Sequence, residues 1–167
     1  MRHSVITPIA AGLLMAMAGA SHAATKNSSF QVSATVSKNC VISSQNLNLG
    51  TFDGTNDLVG SSTISVNCTG STNFSVDLDK GSSGNYTMRT LVNGADTLNY
   101  NLYTTNTYTT VWGDTTGGTG HVTGTGTGMG APNTQLLTVY GRLRATDNVA
   151  GVGAGSYSDS ITATITY

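Results

Sequence analysis

The chain has 167 residues, of which 38% are hydrophobic and 9% are charged, and its formal net charge is −1. Because an ordinary soluble domain has about 25% charged residues, this chain lacks the basic surface that binding to nucleic acid or to an anionic membrane requires. Its length fits one domain. Thr, Ser, Asn and Gly supply most of the polarity, and these residues favour strands and turns over helix interiors.

The first 23 residues have the features of a secretory signal peptide. Arg2 precedes an apolar run over 5–20, and Ser21 and Ala23 place small residues at a cleavage site. The run is shorter than the roughly 20 residues that a membrane-spanning helix needs. We therefore expect a secreted mature chain, 24–167, with six basic residues, eight aspartates and a net charge of −2.

The first strand signal of the mature chain lies in the sequence SSFQVSATVSKNC. Phe30, Val32, Ala34 and Val36 alternate with polar residues, which is the two-residue period of a half-buried β-strand. Chain ends are usually frayed unless another element holds them. The sequence before Cys40 therefore predicts a strand that needs a partner.

Cys40 and Cys68 are the two cysteines. In an exported protein a disulfide is the favoured interpretation, because oxidising compartments preserve it. By the chain-entropy model, a loop of this size contributes roughly 3.5 kcal/mol. A metal pair or a catalytic thiol would need ligand or base partners, and the mature chain has one histidine, His121.

The rest of the chain predicts short strands and almost no helical periodicity. The predicted strands are 62–68, 74–78, 98–103, 136–143 and 161–167, with turns at DKGSSGN and at Asn93-Gly94. In the last strand, one face carries Ile161, Ala163, Ile165 and Tyr167. Many short strands separated by turns indicate an all-β sandwich or barrel.

Residues 113–131 are rich in glycine and threonine. A phosphate-binding glycine loop needs a helix after it, and no helix pattern follows, so we expect a mobile or weakly paired β-connection there and no nucleotide cofactor. His121 lies in this segment and lacks the rigid setting that a Ser-His-Asp site needs.

The remaining candidates for chemistry are sparse. Asp77 and Asp79 share one face of a strand, so we expect both to face solvent rather than to flank a cleft as in a glycosidase. Residues 53–57 resemble part of a calcium loop but lack its later acidic ligands, and we expect a polar turn. We therefore expect no catalytic site, no metal site and no cofactor, while a secreted hydrolase or lectin remains an alternative that export and the β fold alone support.

The two ends of the mature chain suggest a structural role. The strand before Cys40 is a possible donor, and the sheet edge formed by 161–167, in which the chain stops, is a possible acceptor. A head-to-tail interface of that kind does not close, so it generates a filament. The alternative is that both strands pair within one complete sandwich.

The chain resembles the spore coat protein U domain family, which includes the pilin subunits of archaic chaperone–usher pili of Gram-negative bacteria. The resemblance extends over the mature chain. Its landmarks are LNLGTF at 47–52, ISVNC at 64–68, MRTL at 88–91, LNYNLYTTNTYTTVWGD at 98–114 and YSDSITATITY at 157–167. Leu49 stands where the family more often has an aromatic residue.

The resemblance implies an incomplete immunoglobulin-like β-sandwich that a donor strand from a partner completes. It divides the chain into a signal peptide, 1–23, a donor strand, 24–38, and a sandwich domain, 39–167. A periplasmic chaperone would supply the missing strand temporarily, and an outer-membrane usher would exchange it for the donor strand of another pilin subunit.

The resemblance also implies residue roles and a location. The implied donor residues are Phe30, Val32, Ala34 and Val36. The implied groove edge, which also contacts the chaperone, carries Ile161, Ala163, Ile165 and Tyr167. The protein would be a shaft or minor pilin, secreted through the periplasm to the cell surface and serving attachment and biofilm formation. A coat or matrix protein of the same family that works without an usher is the alternative.

Overall fold

The computed structural model describes residues 22–149 and 151–167. The predicted signal peptide lies outside these residues except for its last two positions. Across the described ranges, no helix has the length and apolar character needed to cross a membrane. The chain divides into two units, 1–35 and 36–167, which are described separately below.

The first unit contributes residues 22–35, in which the structure assigns neither helix nor strand. Its side chains are exposed, Phe30 by 87% and Val32 by 82%. The strand that the alternating pattern predicts is therefore not formed within the single chain. A strand needs the backbone hydrogen bonds and the side-chain burial that a neighbouring strand supplies.

The second unit is a β-sandwich with eight strands and no α-helix among its described residues. The strands are β1 (Cys40–Ser44), β2 (Leu58–Cys68), β3 (Asn73–Leu78), β4 (Arg89–Asn93), β5 (Asp96–Tyr103), β6 (Val122–Thr125), β7 (Gln135–Leu143) and β8 (Ala163–Thr166). One sheet has the order β1-β2-β7-β5-β4, and the other has the order β6-β3-β8. The predicted all-β class is confirmed.

The five predicted strands after Cys40 are all present, and the last is shortened to β8. The predicted turn at Asn93-Gly94 joins β4 to β5, where Asn93 pairs with Asp96 and Gly94 has a φ of +61°. A positive φ is accessible to glycine at little cost, which explains the tight turn. The sequence analysis missed β1, β4 and β6.

The glycine- and threonine-rich segment contains β6, which pairs with β3. Gly124 faces Phe74 across this pair, and a Cβ atom on Gly124 would lie 2.5 Å from the Phe74 ring. Glycine therefore leaves space for a ring that is only 4% exposed. The segment is a paired edge strand with short 3-10 turns before and after it.

The core lies between the two sheets. Alternate residues of β2, β3 and β5 point into it, which accounts for the two-residue period in the sequence. Its buried members on these strands are Ile64, Val66, Cys68, Phe74, Val76, Leu78, Leu98, Tyr100 and Leu102. Trp112 is fully buried beside them, and its Nε1 donates to the carbonyl oxygen of Val76 at 2.8 Å.

A disulfide joins Cys40 to Cys68 with an S–S distance of 2.03 Å. The two residues are direct partners in the β1–β2 ladder. Cys68 has no exposed surface. The disulfide therefore ties the edge strand β1 to the core at the point where the second unit begins its first strand.

Candidate functional site

An open groove runs along the side of the sandwich where β1 and β8 form the sheet edges. It consists of a cavity of about 490 Å³ and a second cavity of about 760 Å³. They share four lining residues, so the groove is continuous: Leu49, Gly50, Leu91 and Tyr157. One wall is the segment 44–54, and the other consists of 151–163.

The floor of the groove is the sandwich core. Ile64, Leu102 and Val139 line the smaller cavity, whereas Leu98 and Leu143 line the larger one. Among the described residues no strand lies between β1 and β8, each of which pairs on one side only. An edge strand exposes unpaired backbone groups, and apolar side chains facing a cavity lack packing partners. The groove therefore offers both a ladder and a buried surface to an added strand.

Burial alternates from residue to residue along the carboxy-terminal wall. Tyr157, Asp159, Ile161, Ala163 and Ile165 are half-buried, and the residues between them are exposed. Three of the four residues implied for the groove edge thus point inward.

The fourth implied edge residue, Tyr167, follows β8 and is 52% exposed. Ile165 pairs with Val76 at the centre of the three-stranded sheet. The inward side of this wall is consequently continuous with the core.

Hydrogen bonds connect this wall to the 3-10 turn Gly81–Ser83 and to β4 and β5. The Asp159 carboxylate accepts from the Ser82 N–H at 2.9 Å and Oγ at 2.6 Å, and from the Tyr100 hydroxyl at 2.7 Å. Burial raises the pKa of Asp159, but the hydrogen bonds from Ser82 and Tyr100 outweigh it and keep the pKa below its usual value. Ser158 and Val92 exchange backbone hydrogen bonds of 2.9 and 3.2 Å. The wall therefore has a fixed position.

The opposite wall, 44–54, packs over two glycines that face each other in neighbouring strands. Gly60 and Gly141 are partners in the β2–β7 ladder. A Cβ on Gly60 would lie 2.8 Å from the Asn48 carbonyl oxygen, and one on Gly141 would lie 3.0 Å from the Leu47 side chain. The glycines form a notch that receives this wall. Leu49 packs against the core there and lines both cavities.

The implied donor residues lie in chain without regular secondary structure. Val36 is 83% exposed, and Ala34 is exposed as well. Exposure of these apolar side chains to water is unfavourable, and their burial would stabilise the chain.

The Arg89 cluster, formed by Arg89, Asp79, Asn101 and Trp112, was missed by the sequence analysis. Arg89 is fully buried and donates to the carbonyl oxygens of Asp79, at 3.0 and 2.6 Å, and of Trp112, at 2.8 Å. It also donates to Asn101 Oδ1 at 2.7 Å. Burial lowers the pKa of Arg89. The sequence features that could have indicated this cluster are an arginine in a chain with few charges and the Trp-Gly-Asp sequence.

Asp77, in β3, and Asp79, directly after it, were predicted to face solvent, and both are half-buried and hydrogen-bonded. Asp77 Oδ1 lies 3.0 Å from His121 Nδ1, because β6, which the sequence analysis did not predict, starts beside β3. Asp79 Oδ1 accepts from the Gly81 N–H at 3.1 Å. In the described ranges no serine hydroxyl is hydrogen-bonded to His121, and no three potential metal ligands are clustered.

Residues 53–57 form the predicted polar turn. The Asp53 carboxylate accepts from the backbone N–H groups of Thr55, at 2.8 Å, and Asn56, at 2.9 Å. Hydrogen bonds from the Asn56 side chain and from Thr55 hold the pKa of Asp53 far below its usual value. The carboxylate thus stabilises its own turn.

Fold and groove together define an incomplete immunoglobulin-like sandwich with an open apolar groove. The family model described as the Spore Coat Protein U domain matches residues 26–164, and the chain belongs to this family. No curated protein matches the chain.

A solved structure shares the fold. It is the pre-assembly complex of the chaperone CsuC and the tip adhesion subunit CsuE from the archaic chaperone–usher Csu pili of Acinetobacter baumannii, with a TM-score of 0.56 and 22% identity. The match covers 80% of this chain and 40% of that chain. At this identity the likeness concerns the fold.

Proposed function

We propose that the chain is a structural pilin of an archaic chaperone–usher pilus and polymerises by donor-strand exchange. In this proposal the segment with Phe30, Val32, Ala34 and Val36 of one copy fills the groove of another. The observation that carries the proposal is the combination, in one chain, of an open apolar groove and an exposed alternating segment.

The expected energetics favour such an exchange. Burying Phe30, Val32 and Val36 contributes about 1.5–3 kcal/mol each, and each new backbone hydrogen bond contributes about 0.5–1.5 kcal/mol. The single subunit is then marginally stable and the assembled one is very stable. Because donor and acceptor surfaces differ, the assembly does not close and grows as a filament.

Family membership supports the partners and the location that are typical of such pilins. A periplasmic chaperone occupies the groove before assembly, an outer-membrane usher catalyses the exchange, and the subunit reaches the cell surface, where the filament serves attachment and biofilm formation. The solved relative is itself a chaperone–subunit complex, which supports the chaperone. Family and fold are non-enzymatic in kind.

The proposal is tested by deleting residues 24–36 and by matched substitutions within them. Wild-type assemblies should run as heat-sensitive ladders on denaturing gels, and the deletion should abolish the ladder while chaperone binding persists. Val32→Asp should have the same effect, because it places a charge on the inward face, whereas Ser33→Asp on the outward face should assemble normally. Normal filaments from the deletion variant would contradict the proposal.

A secreted coat or matrix protein is the second candidate, and the description of the family as spore coat protein favours it. The discriminating observation is the gene neighbourhood. Adjacent chaperone and usher genes support the pilin, and a locus without them supports the coat protein.

A further inference from the structure

One acidic side chain interrupts the inward face of the carboxy-terminal wall. Tyr157, Ile161, Ala163 and Ile165 form the rest of this face, and Asp159 lies among them and lines the smaller cavity. Its Oδ1 accepts three hydrogen bonds and its Oδ2 accepts one within the described chain. Since these four donors fill the lone-pair sites of the carboxylate, a cation beside Asp159 would be attracted mainly by its negative charge.

The donor segment carries a matching charge. Side chains two residues apart on a strand share a face, so the face with Phe30 and Val36 also carries Lys38 at one end and Lys26 at the other. Both lysines are exposed. The added strand therefore presents an apolar face with a cation at each end.

The two faces match position by position when the strands run antiparallel. If Lys38 lies beside Asp159, the next inward pairs along the strands are Val36 with Ile161, Ala34 with Ala163 and Val32 with Ile165, and Phe30 then lies beside the exposed Tyr167. Directly opposite residues of an antiparallel pair share a face and contact each other. This alignment pairs apolar with apolar residues throughout and places the opposite charges together.

The parallel alignment fits less well. If Lys26 lies beside Asp159, then Ser28 lies beside Ile161, and the bulky Phe30 lies beside Ala163. A polar residue then enters the apolar part of the groove.

We propose that Asp159 is the register-setting residue of the groove and forms an ion pair with Lys38 of a second copy in an antiparallel donor strand. This inference rests on the proposed function. A one-residue slip would turn the apolar donor face outward, and a two-residue slip would leave the Asp159 carboxylate beside an apolar side chain.

The proposed register has a structural consequence. β1 and β8 approach each other within 8 Å, and an inserted strand needs about 4.8 Å to each neighbour. The outer half of the donor strand therefore requires the edges of β1 and β8 to separate, whereas the cavity beside Asp159 is already open.

The test compares Lys38→Glu with Lys26→Glu in the full mature chain. Both substitutions reverse the charge of an exposed lysine on the same donor face, so neither should change folding. Lys38→Glu should slow the formation of the heat-sensitive ladder about tenfold, because it sets like charges together in a half-buried site, and Lys26→Glu should change the rate less than twofold.

A double-mutant cycle isolates the pair. In an Asp159→Asn background, whose fold is checked by circular dichroism, the Lys38→Glu effect should shrink to about twofold. In the wild-type background it should shrink at high salt, since ion pairs are screened.

The outcomes separate the two proposals. A wild-type chain that forms no ladder overturns the proposed function. A wild-type ladder with equal rates for the two lysine variants overturns the register and leaves the function standing. A slower Lys26→Glu variant assigns the parallel orientation and also overturns the proposed register.

Discussion

The Arg89 cluster and the groove both bring core residues together with polar groups, but they do so differently. In the cluster, four hydrogen bonds from Arg89 reach carbonyl and amide oxygens of three other segments. In the groove, the apolar core reaches the surface between two unpaired strand edges. One region is complete within the chain, and the other has the composition of a core without its covering strand.

The contrast between these two regions indicates how a single chain stays folded although part of its core is open to solvent. A buried polar network loses much of its stability when one partner is missing, so it fixes the positions of the segments it joins. Asp159 connects the two regions, since it lines the groove and accepts a hydrogen bond from Tyr100, which pairs with Arg89 in the β4–β5 ladder. The carboxy-terminal wall of the groove is thus anchored to the core.

The largest expected loss of stability comes from a substitution in the Arg89 cluster. Arg89→Ala should lower the free energy of unfolding by about 3–5 kcal/mol, because it leaves buried acceptors without donors and creates a cavity. Urea denaturation followed by Trp112 fluorescence measures it. Arg144→Ala is the control, since its ion pair with Asp147 is 3.9 Å long at an exposed site, and its effect should be below about 0.5 kcal/mol. Equal effects of the two substitutions would refute the assigned role of the cluster.

The next largest loss of stability is expected when the disulfide that holds β1 is removed. Replacing both cysteines by alanine should cost about 3.5 kcal/mol by the chain-entropy model. Because Cys40 begins β1, amide exchange should increase more in β1 than in β5. The control is wild-type protein measured with and without reductant, and an unchanged urea midpoint after reduction would contradict the prediction.

The sequence predicted the central strands well. In β2 and β3, inward apolar residues alternate with polar ones, as at Ile64 and Val66, because one face is buried and the other is solvated. The same rule identified the inward face of the last strand, with Ile161 and Ala163.

The missed strands lack this signal for identifiable reasons. β4 shows no alternation of buried and exposed residues after Arg89, and β6 contains Gly124 where a side chain would meet Phe74. Their pairing is decided by neighbouring strands rather than by local propensity. The cavities, the Arg89 cluster and the contact of His121 with Asp77 likewise arise between segments distant in sequence, which a local pattern does not encode.

A smaller loss of stability is expected from a substitution beneath the groove wall 44–54. Gly60→Ala should destabilise by about 1–3 kcal/mol, because its Cβ would approach the Asn48 carbonyl oxygen to 2.8 Å and displace the wall. Gly70→Ala, in the turn after β2, is the control, with no atom within 4 Å of its Cβ. Thermal unfolding compares the two, and equal melting temperatures would show that the notch does not position the wall.

The smallest effect concerns the residue that joins the two regions. The pKa of Asp159 is lowered in the folded chain, so its ionised form stabilises the fold above the unfolded pKa of about 3.9, and this contribution is lost as the pH falls through the folded pKa. The free energy of unfolding should therefore decline below about pH 4, and less steeply for Asp159→Asn, which has no charge to lose. Other carboxylates with lowered pKa values, such as Asp57 and Asp114, contribute to both curves equally. Parallel curves for the two proteins would mean that the hydrogen bonds of Asp159 do not depend on its charge, and the anchoring of the wall would then rest on Ser158 and Val92.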